Sequence, residues 1–147
     1  GWLGKMIQRF TKSRINHSAI VIEVWGEIFI IDSQKDGTNL RSLENWNKMF
    51  NYKYKISRPK EFTTELRNRA VTKIGSTPYD FVSLFLWQPI YILTGKWHGH
   101  TRRFAEDRMY CSEFVSWVYS LEKWWENSPE RVYEIVSHDN RFINIDI

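Results

Sequence analysis

The only cysteine of the chain lies in the run Tyr110-Cys111-Ser112-Glu113-Phe114-Val115. This run opens a segment, residues 109–124, whose apolar positions recur at helical spacing and are Phe114, Val115, Trp117, Val118 and Leu121. The pattern predicts a helix over 109–124 with these side chains facing inward. Cys111 is therefore expected in the first turn of a helix.

A cysteine at this position has a chemical interpretation and a structural one. The N-terminal end of a helix presents unpaired N–H groups and a partial positive charge, which stabilise a thiolate. The same N–H groups could hold the oxyanion that forms when a thiolate attacks a carbonyl. The alternative is a small buried core residue, which is common for free cysteine. The first turn of a helix favours the nucleophile.

A nucleophilic cysteine needs a base within hydrogen-bond reach, and the chain has 4 histidines. His17 begins a β-branched run, so the end of a strand could direct its ring into a cleft. His98 and His100 lie in a polar loop and His138 lies near the C-terminus, where we expect surface positions. No Cys or carboxylate pattern completes a zinc site around them, and no metal or other cofactor is predicted.

A β-hairpin is predicted directly after His17. Residues 18–24 and 28–31 are rich in Ile and Val and are joined by Trp25-Gly26-Glu27. A tight turn at Gly26 sets Gln34 or Lys35 opposite His17 and Asp32 diagonal to it, which a carboxylate can still span. Asp32 is thus the candidate partner that orients the base. A turn residue is the alternative for Asp32, and Glu23 is a weaker candidate partner.

The remaining pattern predicts helices on both sides of the strands, which favours an α+β fold. The expected helices cover 2–11, 42–49 and 63–74, with further helices starting near Tyr79 and at Ser128-Pro129. A third strand is expected over 52–58, a turn at Asp36-Gly37, an exposed loop over 95–103, and a final strand over 141–147.

Composition limits the remaining classes. With 147 residues, 42% of them hydrophobic and 16% aromatic, the chain is expected to fold as a single domain, 1–147. The net charge of +4 is spread along the chain without a nucleic-acid-binding module, so no nucleic acid is predicted as a partner. The apolar stretch 81–93 is too short and interrupted to span a bilayer, no signal peptide is evident, and one cysteine forms no internal disulfide. These features predict a cytoplasmic setting.

The ordered set of motifs resembles the permuted branch of the NlpC/P60 superfamily, in particular its YiiX/YebB-like group, which is related to lecithin–retinol acyltransferase-like proteins. The matching stretches span nearly the whole chain and are Phe10-Thr11-Lys12-Ser13, Asn16-His17-Ser18-Ala19-Ile20-Val21-Ile22, Phe29-Ile30-Ile31-Asp32-Ser33, Gly37 with Leu40, Leu43-Glu44-Asn45-Trp46, Gly75 with Pro78-Tyr79-Asp80-Phe81, Tyr110-Cys111-Ser112-Glu113-Phe114-Val115, and Ser128-Pro129 with Val132. The chain departs from the family pattern at two of these positions, with Asp32 where Glu is frequent and Ala19 where Gly is common.

The resemblance implies a circularly permuted papain-like fold, in which the helix carrying the nucleophile follows a small antiparallel sheet. It implies that Cys111 is the nucleophile, His17 the base and Asp32 its partner. Tyr79 and Tyr110 are candidates to line a substrate site, with packing as the alternative role.

The implied activity is cysteine-dependent hydrolysis of an amide in a peptide, including peptidoglycan peptides. Two other functions stay open at this point. One is a lipid-directed thiol acyltransferase or thioesterase, for which the aromatic run 81–97 would suit an acyl chain. The other is a non-catalytic module that kept the fold. The sequence gives no oligomeric state.

Overall fold

A computed structural model describes residues 15–49, 53–100 and 105–145. The predicted helix over 2–11 lies outside these residues. The described elements, in chain order, are β1 (Ile20–Val24), β2 (Glu27–Gln34), β3 (Gly37–Ser42), α1 (Leu43–Met49), β4 (Ile56–Pro59), α2 (Thr64–Thr72), a π-helical turn (Ser83–Trp87), α3 (Gln88–Thr94), α4 (Cys111–Val118), a 3-10 turn (Trp124–Glu126), α5 (Pro129–His138) and β5 (Phe142–Ile145). The expected α+β class is confirmed.

The predicted hairpin is present and forms the first half of an antiparallel sheet in the order β1-β2-β3. Val24 pairs with Glu27, so Trp25 and Gly26 make a two-residue turn with φ values of 53° and 82°. Positive φ at both central positions is the requirement of a type I′ turn. Alternate residues of β1 face the core, because Ile20 and Ile22 are buried while Val21 is half exposed.

Strand β3 was not expected from the sequence. Its six residues, Gly-Thr-Asn-Leu-Arg-Ser, include only one β-branched side chain, so composition gave little strand signal. The turn predicted at Asp36-Gly37 is present, and it returns the chain alongside β2 with Gln34 paired to Gly37. Pairing with β2 therefore outweighs the weak local propensity of this segment.

Several predicted helices and strands are confirmed with small shifts at their ends. Thr63 and Ser128, with which two of the predicted helices begin, accept hydrogen bonds from backbone N–H groups of α2 and α5, at 3.2 Å each. Strand β4 begins later than expected, at Ile56, and includes Pro59. It pairs with β5 in a separate two-stranded sheet, where each strand is an edge and a proline is tolerated.

Helix α4 is shorter than the predicted 109–124. It ends at Val118 because Ser120 and Lys123 adopt left-handed φ values of 51° and 47°, which interrupt the helix before the 3-10 turn. The inward-facing pattern is nevertheless correct. The main core joins the first sheet to α4 and α5, and its buried members include Ile20, Ile31, Phe114, Val118, Val132 and Val136.

Short polar contacts attach the first sheet to the segment that precedes α4. Ser33 Oγ on β2 donates to the backbone oxygen of Met109 at 2.5 Å, and the Met109 N–H donates to the oxygen of Pro78 at 3.1 Å. The backbone N–H of Thr38 on β3 donates to the backbone oxygen of Thr77 at 3.0 Å. The segment 77–78 therefore lies between β3 and Met109, and it fixes the start of α4 relative to the hairpin.

In the described part of the chain, the helices are all too short or too polar to cross a membrane.

Candidate active site

Cys111 is the first residue of α4 and is 1% exposed. The helix start is fixed by its own acidic residue, since the backbone N–H of Tyr110 donates to Glu113 Oε2 at 3.0 Å. Glu113 is fully buried, and this burial raises the pKa of its carboxyl well above its ordinary value, with the Tyr110 N–H opposing the shift. The raised pKa favours the neutral form of this carboxyl in the first turn of α4.

The structure brings His17 next to Cys111. The charge of Cys111 and a side-chain hydrogen bond with it both raise the pKa of the His17 imidazole, although the two residues are far apart in the sequence. His17 precedes β1 and its side chain is 17% exposed. Surface positions were expected for the other three histidines. His98 and His138 are exposed, and His100 is partly buried.

Asp32 lies inside β2 and is completely buried, so it is not the turn residue that was its alternative. Its Oδ2 accepts hydrogen bonds from His17 Nε2 at 2.9 Å, from Trp46 Nε1 at 3.1 Å and from the side-chain amide of Gln34. Its Oδ1 forms an ion pair with an Arg41 nitrogen at 2.7 Å. The hairpin register explains the contact with His17, because extending it from Ile20–Ile31 sets Gln34 opposite His17 and Asp32 diagonal to it.

The charges of this group alter the proton affinity of His17. Burial alone would lower the pKa of the imidazole, but the charge of Cys111 and the hydrogen bond to Asp32 outweigh it. The charges of Cys111 and Asp32 and their hydrogen bonds with the ring together raise the pKa of His17 from 6.5 to about 10. His17 is therefore protonated near neutral pH.

Asp32 shows the complementary effect. Burial would raise the pKa of its carboxyl, but the hydrogen bond and charge of His17, with the hydrogen bonds from Gln34 and Trp46, lower it below the ordinary value of 3.8. Asp32 is thus ionised near neutral pH and faces an imidazolium. Trp46 contacts both partners, since its ring also stacks on His17 with 6.3 Å between centroids.

Tyr79 and Tyr110 both pack in a small buried cluster with Cys111 and Leu84. Burial and the nearby charge of Cys111 raise the pKa of Tyr79, whose ring makes an edge contact with Phe81. Tyr110 is fully buried, and its hydroxyl donates to the Asn127 oxygen at 3.1 Å and accepts from the Gln88 amide at 2.6 Å. These contacts of Tyr110 are those of a packing residue.

Sequence reasoning did not include Arg41, Gln34 or Trp46 in the site. Arg41 lies on the strand that the sequence did not predict, and Trp46 was expected only as an apolar residue on one face of a helix. In the part of the chain that the structure describes, no cluster of three or more His, Cys, Asp or Glu side chains is arranged to hold a metal ion.

A comparison with protein-family models supplies an independent result. Residues 4–128, well over half of the chain, match the model described as "Permuted papain-like amidase enzyme, YaeF/YiiX, C92 family". No curated protein matches the chain. The family is one of cysteine peptidases and amidases, so the resemblance stated from the motifs is confirmed and the chain is an enzyme of this kind. This chain therefore belongs to the C92 family of permuted papain-like amidases.

Proposed function

We propose that this chain hydrolyses an amide bond through Cys111, His17 and Asp32. The observation that carries the proposal is the continuous contact from Cys111, at the first position of α4, through the imidazole of His17 to the buried carboxylate of Asp32. Nucleophile, base and orienting acid in hydrogen-bonded order are the arrangement that covalent acyl transfer requires.

The two nitrogens of His17 have different roles in this mechanism. Nε2 contacts Asp32, which leaves Nδ1 as the nitrogen proposed to face Cys111. Asp32 is ionised and can only accept, which assigns the Nε2 hydrogen to that contact. The protonated ring then faces the Cys111 sulfur, and an imidazolium beside a cysteine favours the thiolate over the thiol.

The reaction proceeds in two halves. The Cys111 thiolate attacks the amide carbon, a C–S bond forms, and the oxyanion is stabilised by N–H groups at the start of α4. The intermediate collapses, the C–N bond breaks, and His17 gives its proton to the departing amine. Water then attacks the thioester while His17 accepts its proton, which releases a carboxylic acid and restores the thiolate and imidazolium.

Tyr79 is the proposed lining residue on the Cys111 side, because it packs beside the thiol and is 7% exposed. Tyr110 supports the start of α4 from within the core. We also propose that residues 1–147 form one domain in permuted papain-like order, with the His17 strand preceding the Cys111 helix. The shared core of residues from Ile20 to Val136 supports this assignment.

Peptides, including those of peptidoglycan, are the proposed substrates. The test is incubation with peptidoglycan fragments and a peptide library, followed by mass spectrometry of the products. New carboxyl and amine termini should form with the unchanged protein and be absent with Cys111→Ala. Cleavage by that variant at the wild-type rate would overturn the proposal.

A second candidate substrate is an acyl lipid, and one observation favours it. Apolar side chains are exposed along the segment 81–93, with Phe81 43%, Leu86 47% and Leu93 84% exposed. Such side chains could contact an acyl chain. An acyl group found on Cys111 after incubation with phospholipid, together with no cleavage of peptides, would favour this candidate over the amide substrate.

A further inference from the structure

Arg41 forms an ion pair with Asp32 but takes no part in the steps of the proposed reaction. Its side chain is 12% exposed, and its two terminal nitrogens lie 2.7 Å from Asp32 Oδ1 and 2.7 Å from Asp36 Oδ2. Asp32 pairs with Asn39 and Ile30 pairs with Arg41, so Asp32 and Arg41 are diagonal neighbours across β2 and β3. The guanidinium therefore bridges a fully buried carboxylate and an exposed one.

The hydrogen bonds to both oxygens of the Asp32 carboxylate fix its orientation. Its Oδ2 accepts from His17, Trp46 and Gln34, whereas Oδ1 is taken by Arg41. A planar guanidinium with two fixed partners resists rotation better than a single point charge does. Rotation of the carboxylate would separate Arg41 from Oδ1 and displace the donors from Oδ2.

The charge of Arg41 matters at one stage of the proposed reaction. When His17 gives its proton to the departing amine, it becomes neutral and no longer compensates Asp32. A completely buried carboxylate without a cation is costly. A guanidinium is a permanent cation, so Arg41 supplies that compensation.

We propose that Arg41 is a positioning residue, which holds the Asp32 carboxylate ionised and directed at His17 in both protonation states of the imidazole. This inference rests on the proposed function. Among the described residues, the charged or titratable groups that interact with Asp32 are His17 before β1, Arg41 on β3 and Tyr79 before the π-helical turn, while Cys111 on α4 acts on His17. Among them Arg41 alone is a permanent cation.

The test uses the full chain and two NMR observations of the His17 ring. One is the midpoint of its titration, and the other is the exchange with water of its Nε2 hydrogen. Arg41→Gln leaves His17 as the remaining cation beside Asp32, so the midpoint should move to higher pH and exchange should become faster. Arg41→Lys keeps the positive charge but lacks the planar guanidinium with its several N–H donors. The titration midpoint of His17 should therefore stay the same, while exchange of its Nε2 hydrogen should become several-fold faster.

Asp36→Asn is the matched control, because it removes the exposed negative charge, keeps a side-chain oxygen that can accept from Arg41, and leaves the Asp32 contact in place. Both observations should remain close to wild type. Wild-type midpoint and exchange in a folded Arg41→Gln would overturn the inference. If Arg41→Gln does not fold, wild-type exchange in Arg41→Lys overturns it equally.

Failure of the inference is distinguishable from failure of the proposed function. The rate of Cys111 alkylation by iodoacetamide, compared between wild type and His17→Ala, reports on the proposed function without reference to Arg41. Equal rates there would remove the proposed function. Different rates there, with an unaltered His17 ring in the Arg41 variants, would remove only the role of Arg41.

Discussion

His17 Nε2 lies 2.9 Å from Asp32 Oδ2, a contact made by a residue that precedes β1 with a residue inside β2. The hairpin between them makes this contact possible, because its two-residue turn fixes the register of the strands. The acidic partner is therefore supplied by the same hairpin that positions the imidazole, and α4 contributes the thiol from a distant part of the chain.

Replacing Cys111 by Ala should abolish amide cleavage and leave the fold intact. The side chain is small and removes few contacts, so we expect a loss of about 1 kcal/mol in the free energy of unfolding. Activity assays and urea denaturation of both proteins check the two parts separately. Residual turnover near the wild-type level would show that another group attacks the substrate.

Asp32→Asn should be damaging to both activity and stability. The amide brings hydrogen-bond donors into a site where His17, Trp46 and Arg41 already donate, and it leaves the Arg41 charge without its buried partner. We expect a loss of about 3 kcal/mol in unfolding free energy and a fall in kcat of roughly 10²-fold. Asp36→Asn changes an exposed carboxylate on the same arginine and should cost little. Similar effects of the two substitutions would contradict the role of Asp32.

The titration of His17 should depend on Cys111. The pKa of His17 is raised to about 10, and the charge of Cys111 is the first of the causes that raise it. In Cys111→Ala the NMR midpoint of the ring should therefore move to lower pH. Because the folded-state pKa exceeds the ordinary 6.5, the stabilising contribution of His17 is complete below about pH 6.5 and is lost as the pH rises through about 10. An unchanged midpoint in the variant would show that the two side chains are not coupled.

Gly37→Ala should weaken the attachment of β3 to the segment before α4. Gly37 has a φ of 95°, and a Cβ there would lie 2.9 Å from the backbone oxygen of Thr77. We expect a loss of about 3 kcal/mol. Gly26→Ala is the matched comparison, since φ is 82° but nothing lies within 4 Å of the added atom, and about 1 kcal/mol is expected. Equal losses in thermal or urea unfolding would show that the contact with Thr77 is unimportant.

The sequence was informative where a local rule determines geometry. The alternation of Ile and Val with a tight turn predicted the first hairpin and its diagonal contact from His17 to Asp32. Thr63 and the Ser128-Pro129 pair predicted the starts of α2 and α5. The position of Cys111 in the first turn of a helix followed from apolar spacing alone.

The rest depends on contacts between distant segments. Strand β3 has weak strand propensity and exists because it pairs with β2, so Arg41 could not be associated with Asp32 in advance. Trp46 has an apolar face that suggests packing, and its N–H contact with Asp32 becomes visible only in the fold. The early end of α4 depends on left-handed φ values at Ser120 and Lys123. Neither position is a glycine, so the sequence did not indicate these conformations.

Activation of Cys111 by His17 can be tested by the rate at which iodoacetamide alkylates Cys111 near neutral pH in wild type and in His17→Ala. Mass spectrometry identifies the modified residue. Iodoacetamide needs no knowledge of the substrate, and only the thiolate reacts with it. We expect alkylation of Cys111 to be at least about tenfold faster in wild type than in His17→Ala. Equal rates in two folded proteins would contradict the claim that His17 activates Cys111.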